Sequence, residues 1–417
     1  MRESDLSAGG SVPAAAHAAA GLLAALGRRA MSSLGLPDRM LRPQALVERA
    51  GCGPALAAVQ AEAPLGILLE DYRSRADLTL FGCLAARFDI LRLLRNLAAL
   101  QERAAREPEL LAAPVTAPVF ITGMPRSGST FLHKVLAEDP GNRSPSVWET
   151  VYPLPRSRDD PPARRIATVN RQLAAFERMA PGFRDAHPIN AASPQECTAI
   201  TAHAFRSFRF DMVHNVPRYR SWLRAADQLP AYRFHRVFLQ HLQHAEGGRR
   251  RWVLKSPDNV FALEALAEVY PDARLVFLHR DPLEVLASVA GLTAILRRPF
   301  TSRLDRQAIG RQVTGDWLAG TEAMIRAHAQ RLFPPERVVH LHFRDLVRAP
   351  MASVAALYEQ FGLPLGAAAR QRMERCVAEL PQGGYGRLTH SLEEFGIDRR
   401  EARERFAAYA DYFGVQG

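Results

Sequence analysis

Apolar positions along the chain follow two different patterns. Up to about residue 113 they recur at helical spacing, as with Ile90, Leu91, Leu94, Leu97 and Ala98 on one helix face. No run in this stretch reads as a strand, so the spacing predicts a helical arm or cap over residues 1–113. Breaks at Glu107-Pro108 and Ala113-Pro114 end the pattern. From Pro118 onward short apolar runs alternate with helical ones. Strands are predicted over Val119–Thr122, Trp252–Leu254, Arg274–His279 and Val338–Phe343. Helices are predicted over Ser129–Glu138, Asn259–Val269, Leu283–Leu292 and Ala352–Phe361. Continuously apolar strands separated by helices imply βαβ units and a parallel sheet covered on both faces. Residues 114–417 are therefore expected to form one α/β domain. Within it, residues 150–248, rich in Pro, Arg and His, read as a mostly helical, substrate-facing insertion.

Charge changes this picture only slightly. The formal net charge is +11, but of 54 basic residues only Lys134 and Lys255 are lysines. The arginines are scattered singly and in pairs, with no interleaved aromatic residues, which argues against nucleic acid and leaves an anionic small molecule as the partner. Cys52, Cys83, Cys197 and Cys376 lie far apart with no CxxC pair, as in reduced thiols of a cytoplasmic protein. The apolar stretch Ala14–Leu26 could serve as a signal peptide. No stretch reaches the roughly 20 apolar residues of a membrane span.

The segment Gly123–Thr130 reads Gly-Met-Pro-Arg-Ser-Gly-Ser-Thr directly between a predicted strand and a predicted helix. Gly123 and Gly128 permit a tight turn, and the free N–H groups of the loop and helix start face an anion. Four residues separate the glycines, as in a P-loop, so the expected fold class is α/β with a P-loop-type parallel sheet flanked by helices. One position departs from nucleoside triphosphatases: Ser129 stands where their lysine stands, and the cation is Arg126 inside the loop. A transferred group with a single negative charge needs less than a triphosphate with Mg²⁺, so an arginine and backbone dipoles suffice and no metal is required.

A second element follows about 150 residues later. Leu275–His279 leads into Arg280-Asp281-Pro282, and Ser288 sits in the first turns of the next helix. An arginine and a serine eight residues apart across a strand-to-helix junction can converge on one phosphate.

Together the segments Pro118–Leu132, Trp252–Pro257, Leu275–Ser288 and Val338–Pro350 resemble sulfotransferases that use 3′-phosphoadenosine-5′-phosphosulfate (PAPS), in particular the bacterial and tyrosylprotein branches. The resemblance covers roughly Pro118–Leu363. It implies PAPS as donor and PAP as product, with an acceptor hydroxyl on a small molecule, lipid, glycan or natural product; a homodimer is allowed for. It assigns Arg126, Ser127, Gly128, Ser129 and Thr130 to the 5′-phosphosulfate, and Arg280 and Ser288 to the 3′-phosphate. Glu149, in Ser146-Val-Trp-Glu-Thr, matches the family's catalytic base, although about two extra residues precede it. Lys255 matches a lysine beside the bridging oxygen, with Arg126 also acting on the reacting group. Glu196, His187 and His203 are alternative bases. The turn Gly383–Arg387 with His390 is a candidate closure over the 3′-phosphate.

Two other readings compete. A P-loop kinase or NTPase would carry a lysine at position 129 and a strand-end aspartate for Mg²⁺, and neither is present. A non-catalytic nucleotide-binding protein of the same fold would bind PAP without turnover. The aromatic-bearing segment Ala202–Arg236 is able to line an apolar acceptor cleft, although such spacing more often forms core.

Overall fold

The computed structural model describes residues 35–157, 159–246, 250–379 and 390–415. The stretch Ala14–Leu26 and the turn Gly383–Arg387 lie outside the described residues.

From Leu36 to Ala112 the described chain is helical, dominated by α1 (Leu80–Arg106). Thr79 caps its N-terminus by accepting a hydrogen bond from Gly82 N. The periodic residues Ile90, Leu91, Leu94 and Leu97 are buried on its inner face, as their spacing predicts. They belong to the same apolar core as Phe120, Leu254 and Leu275 of the sheet, so the arm and the α/β region share one interior.

The sheet has five parallel strands: β1 (Val119–Gly123), β2 (Asn142–Arg143), β3 (Arg251–Lys255), β4 (Arg274–His279) and β5 (Val338–His342), in the order β2-β3-β1-β4-β5. β1 is central and buried throughout. Its residues alternate between two cores: Phe120 faces the larger one, while Val119 and Ile121 face a second core with Leu132, Leu136, Val354 and Leu357. Helices cover both faces, as the apolar strands require; they include α2 (Ser129–Ala137), α3 (Val147–Val151), α4 (Pro162–Met179), α5 (Leu229–Glu246), α6 (Leu263–Val269), α7 (Pro282–Arg297), α8 (Arg306–Ala329), α9 (Pro350–Gln360) and α10 (Arg399–Arg405).

The predicted strands and helices are present, with ends shifted by a few residues. Two differences have local causes. The expected helix Asn259–Val269 begins instead as a 3₁₀ turn, Pro257–Ala262, and becomes α-helical only at Leu263. Pro257, straight after β3, starts this tighter winding, and the chain kinks at Ala262, whose φ is −141°. β2 left no apolar run to detect because it is two polar residues long. In Ala202–Arg236, Phe205, Phe210, Tyr219 and Tyr232 are core residues.

Candidate functional site

The loop after β1 requires its glycines. Gly123 has φ +111°, and a Cβ there would lie 2.4 Å from Leu278 O on β4. Gly128, at φ +87°, is the N-cap of α2. Arg126 also adopts a left-handed φ of 59°, which a non-glycine residue tolerates only when its surroundings hold it. Those surroundings come from the second predicted element. Arg280 Nη1 donates to Arg126 O at 2.5 Å, and Arg126 Nε donates to Ser288 Oγ at 3.0 Å. The two arginines, predicted from segments about 150 residues apart, meet at the carboxyl edge of β1 and β4. Burial and the nearby Arg280 both push the Arg126 pKa down, with Glu196 opposing. Two cations held this close call for an anion between them.

This edge opens into a single cavity of about 1370 Å³. Arg126, Gly128, Ser129, Thr130, Arg280 and Ser288 line it. Ser127 is wholly buried, its Oγ donating to Met124 O, and it shapes the loop rather than facing the space. Phe343, after β5, lies beneath Arg280, whose guanidinium carbon is 4.0 Å from the ring centre. His390 and Arg399 and Arg403 of α10 also line the cavity.

Lys255, at the end of β3, is 1% exposed, so its ammonium needs partners. It donates to Thr130 Oγ1 at 3.2 Å and to Glu196 Oε1. Burial pushes the Glu196 carboxyl up, but Lys255 and His187 outweigh this and hold it below its ordinary value. Glu196 lines the cavity, as does His187, whose pKa burial and Lys255 depress to about 4. The cavity wall therefore carries a carboxylate beside the phosphate loop, and the ammonium of Lys255, buried behind that wall, bridges Glu196 and Thr130.

Glu149 lies elsewhere. It is in the first turn of α3, where its Oε2 accepts from Ser146 N at 2.8 Å and Ser146 Oγ at 2.7 Å, forming a capping box. Its Oε1 accepts from Arg143 Nη2 at 2.9 Å, and Arg143 stacks over Trp252 at 4.4 Å. Glu149 is not among the cavity-lining residues, so the base expected from the resemblance has both oxygens engaged in a structural corner. His203 is buried against α1, near Asn96, and bonds Ile200 O, away from the cavity.

Sequence reasoning missed the remaining walls. Phe176, Phe183, Leu292, Phe300 and Trp317 form an apolar lining, to which the segment Ala202–Arg236 adds Met212 and, of its aromatic residues named above, Phe208. Asp211 and Asp258 interrupt it, and burial raises them to about 7 and about 8. These residues come from five separated segments, and no local motif marks them.

A glycine loop between strand and helix at the carboxyl edge of a parallel sheet, flanked by two guanidiniums, defines a P-loop-type nucleotide-binding α/β protein. A family model described as "Sulfotransferase family" matches residues 118–367, and the chain belongs to this family. It is similar to omega-hydroxy-beta-dihydromenaquinone-9 sulfotransferase Stf3 of Mycobacterium bovis and of Mycobacterium tuberculosis, at 25% identity over 260 residues. That match takes in 59% of this chain and 63% of the relatives' length. Among solved structures it is similar to the sulfotransferase STF1 of Mycobacterium tuberculosis H37Rv, with a TM-score of 0.76 and 28% identity over 89% of this chain and 98% of that one. It is likewise similar to the sulfotransferase STF9 of Mycobacterium avium, with a TM-score of 0.78 and 26% identity over 91% and 97%.

Proposed function

We propose that this chain transfers the sulfuryl group of PAPS to a hydroxyl borne on an extended apolar small molecule, with Glu196 as the base. The observation that carries this reading is Glu196, which lines the same cavity as Arg126 and Arg280 and is paired with the buried Lys255, itself bonded to Thr130 of the phosphate loop.

The residues present suit the donor. The amides of Gly128–Thr130 and the start of α2 suit the 5′-phosphosulfate, and Arg280 with Ser288 suits the 3′-phosphate. Arg126 lies between these groups. Bound there, PAPS supplies an activated sulfuryl group whose departure leaves negative charge on a phosphate oxygen. Lys255 is placed to hold that charge, because Thr130, its other partner, belongs to the loop. As Lys255 turns toward the donor, Glu196 loses the charge that depresses its pKa and becomes a better acceptor of the hydroxyl proton. The apolar walls then position the rest of the acceptor and exclude water. The Stf3 relatives are named for an acceptor with a hydroxyl at the end of a long lipid, which supports an acceptor of that class here.

The four cysteines are unpaired, which supports a reducing, cytoplasmic setting. Among the described residues no helix is long and apolar enough to cross a membrane.

Incubation with radiolabelled PAPS and a series of primary alcohols of increasing chain length tests the reading. It requires label transfer that strengthens with chain length, and a rise in melting temperature with PAP. At PAP 100-fold above its dissociation constant the gain is about 2.7 kcal/mol. PAP binding with no transfer to any acceptor would leave a nucleotide-binding protein without turnover.

A further inference from the structure

Four of the eight exposed large apolar residues among those described lie on the first turns of α1: Leu80 (50% exposed), Phe81 (41%), Leu84 (51%) and Phe88 (56%). Their spacing places them on one side of the helix. This end of α1 is firmly held. Thr79 N donates to Phe300 O at 2.9 Å, and a Cβ on Gly82 would come within 2.1 Å of the same carbonyl. The helix is thus anchored through its inner face and through Phe81, which also packs on Phe300, while no ring contact among the described residues holds Phe88. A contiguous apolar patch of this kind marks an interaction surface.

The patch continues into the cavity. Phe81 stacks on Phe300 with ring centres 5.8 Å apart, and Phe300 stacks on Phe176 at 5.9 Å. Phe176 meets Phe183 at 4.9 Å, and Phe183 meets His187 at 6.0 Å. His187 is close enough to Glu196 and Lys255 for their charges to shift its pKa. An unbroken ladder of rings therefore runs from exposed helix surface to the proposed reacting carboxylate. Ala85 and Asp89, on the same helix, also line the cavity. Exposed Met179 follows Phe176 by one turn of α4, and exposed Arg178, Arg298 and Arg303 flank this ladder, with Asp77, Asp185 and Asp305 among them.

We infer that the Leu80–Phe88 face rests on a lipid bilayer, and that the acceptor enters the cavity from the membrane along the Phe81–Phe300–Phe176 ladder. This rests on the proposed reading of the cavity as the site for an acceptor with an extended apolar body. Such a molecule has a negligible concentration free in water, so a protein that uses it must meet it where it is dissolved. A bilayer offers an apolar interior to Leu80, Leu84 and Phe88, and its polar headgroup zone accommodates the mixed charges around them. The continuity of the patch with the cavity favours this occupant over a protein partner, which would need no path inward.

The test uses the full chain and vesicles of phosphatidylcholine and phosphatidylglycerol, and neither reagent needs a known acceptor. The wild-type chain should sediment with the vesicles. The variant Leu80→Ser/Leu84→Ser/Phe88→Ser should bind at least about tenfold more weakly, since it removes three apolar side chains from the bilayer. Its turnover of a short, water-soluble alcohol should be unchanged, because none of the three residues lines the cavity. Failure of that turnover in the wild type would count against sulfuryl transfer, whereas failure of vesicle binding alone would count against the membrane surface. A photoreactive residue at position 84 provides a second readout that does not depend on the triple variant folding. Crosslinking to lipid supports the inference; crosslinking to a second copy, or to residues 1–34 of the same chain, overturns it, as does wild-type sedimentation that the triple variant retains.

Discussion

Glu149 and Glu196 occupy neighbouring segments, joined by the bridge between Ser146 and Pro194, yet they are used in opposite ways. Around Glu149 both oxygens have local partners: Ser146 N and Oγ donate to one in a capping box, and Arg143 donates to the other. Around Glu196 the partner is the terminal ammonium of Lys255, and the carboxylate faces a large cavity beside the phosphate loop. In the reading proposed here, a carboxylate that caps the start of a helix and balances a buried arginine stays in that corner, and one paired with a cation that has a second partner on the donor loop receives the substrate proton. Motif position alone does not separate the two; the difference in their hydrogen-bond partners is what motivates the proposal.

The largest effect that would sharpen this contrast is on turnover. Glu196→Gln should lower the rate by about 10²–10⁴, the range of a lost general base, with PAP affinity unchanged. Next in size is nucleotide affinity. Arg280→Ala should weaken PAP about 10- to 100-fold by calorimetry, corresponding to about 1.5–3 kcal/mol for a charge-assisted bond. Unchanged affinity would mean that the second cation grips nothing. Glu149→Gln should act on folding instead. It leaves Arg143 without its counter-charge, at a cost of about 1–3 kcal/mol in chemical denaturation, while the rate per folded molecule stays at the wild-type level.

The smallest effect comes from pH, and it belongs to the cavity side of the contrast. Asp258 and Asp211 are raised by burial to about 8 and about 7. The unfolded chain gives up these protons near pH 4 and the folded chain keeps them, so stability falls as pH rises through about 8. Buried His133, His203 and His214, lowered to about 3, have the opposite sign and act below about pH 6.5. Between pH 6.5 and 8 the carboxyls dominate, and the loss should be about 2 kcal/mol or less. A melting temperature that climbs over that interval would show these carboxyls to be ionised in the folded chain.

The sheet and its nucleotide edge were legible because their signals are local. Strands buried on both faces must be continuously apolar, and Gly123, Arg126 and Gly128 sit within one turn, so their chemistry can be read without knowing what packs nearby. Arg280 and Ser288 were legible for the same reason, eight residues apart at one strand end. The choice between Glu149 and Glu196 was not, because it depends on Lys255, which reaches Glu196 across 59 positions of sequence. The apolar walls were equally hidden. Phe81, Phe176, Phe183 and Phe300 have no shared spacing, and only the docking of α1 onto the Phe300 segment stacks them. The aromatic run at Ala202–Arg236 drew attention by its density, and most of it is core.

One paired measurement decides which carboxylate carries the chemistry: single-turnover transfer from radiolabelled PAPS to a primary alcohol by Glu196→Gln and Glu149→Gln, with PAP binding recorded for each. Loss of transfer in Glu196→Gln alone, with PAP bound as tightly as by the wild type, is the expected result. Retained transfer in Glu196→Gln together with loss in a folded, PAP-binding Glu149→Gln would contradict it.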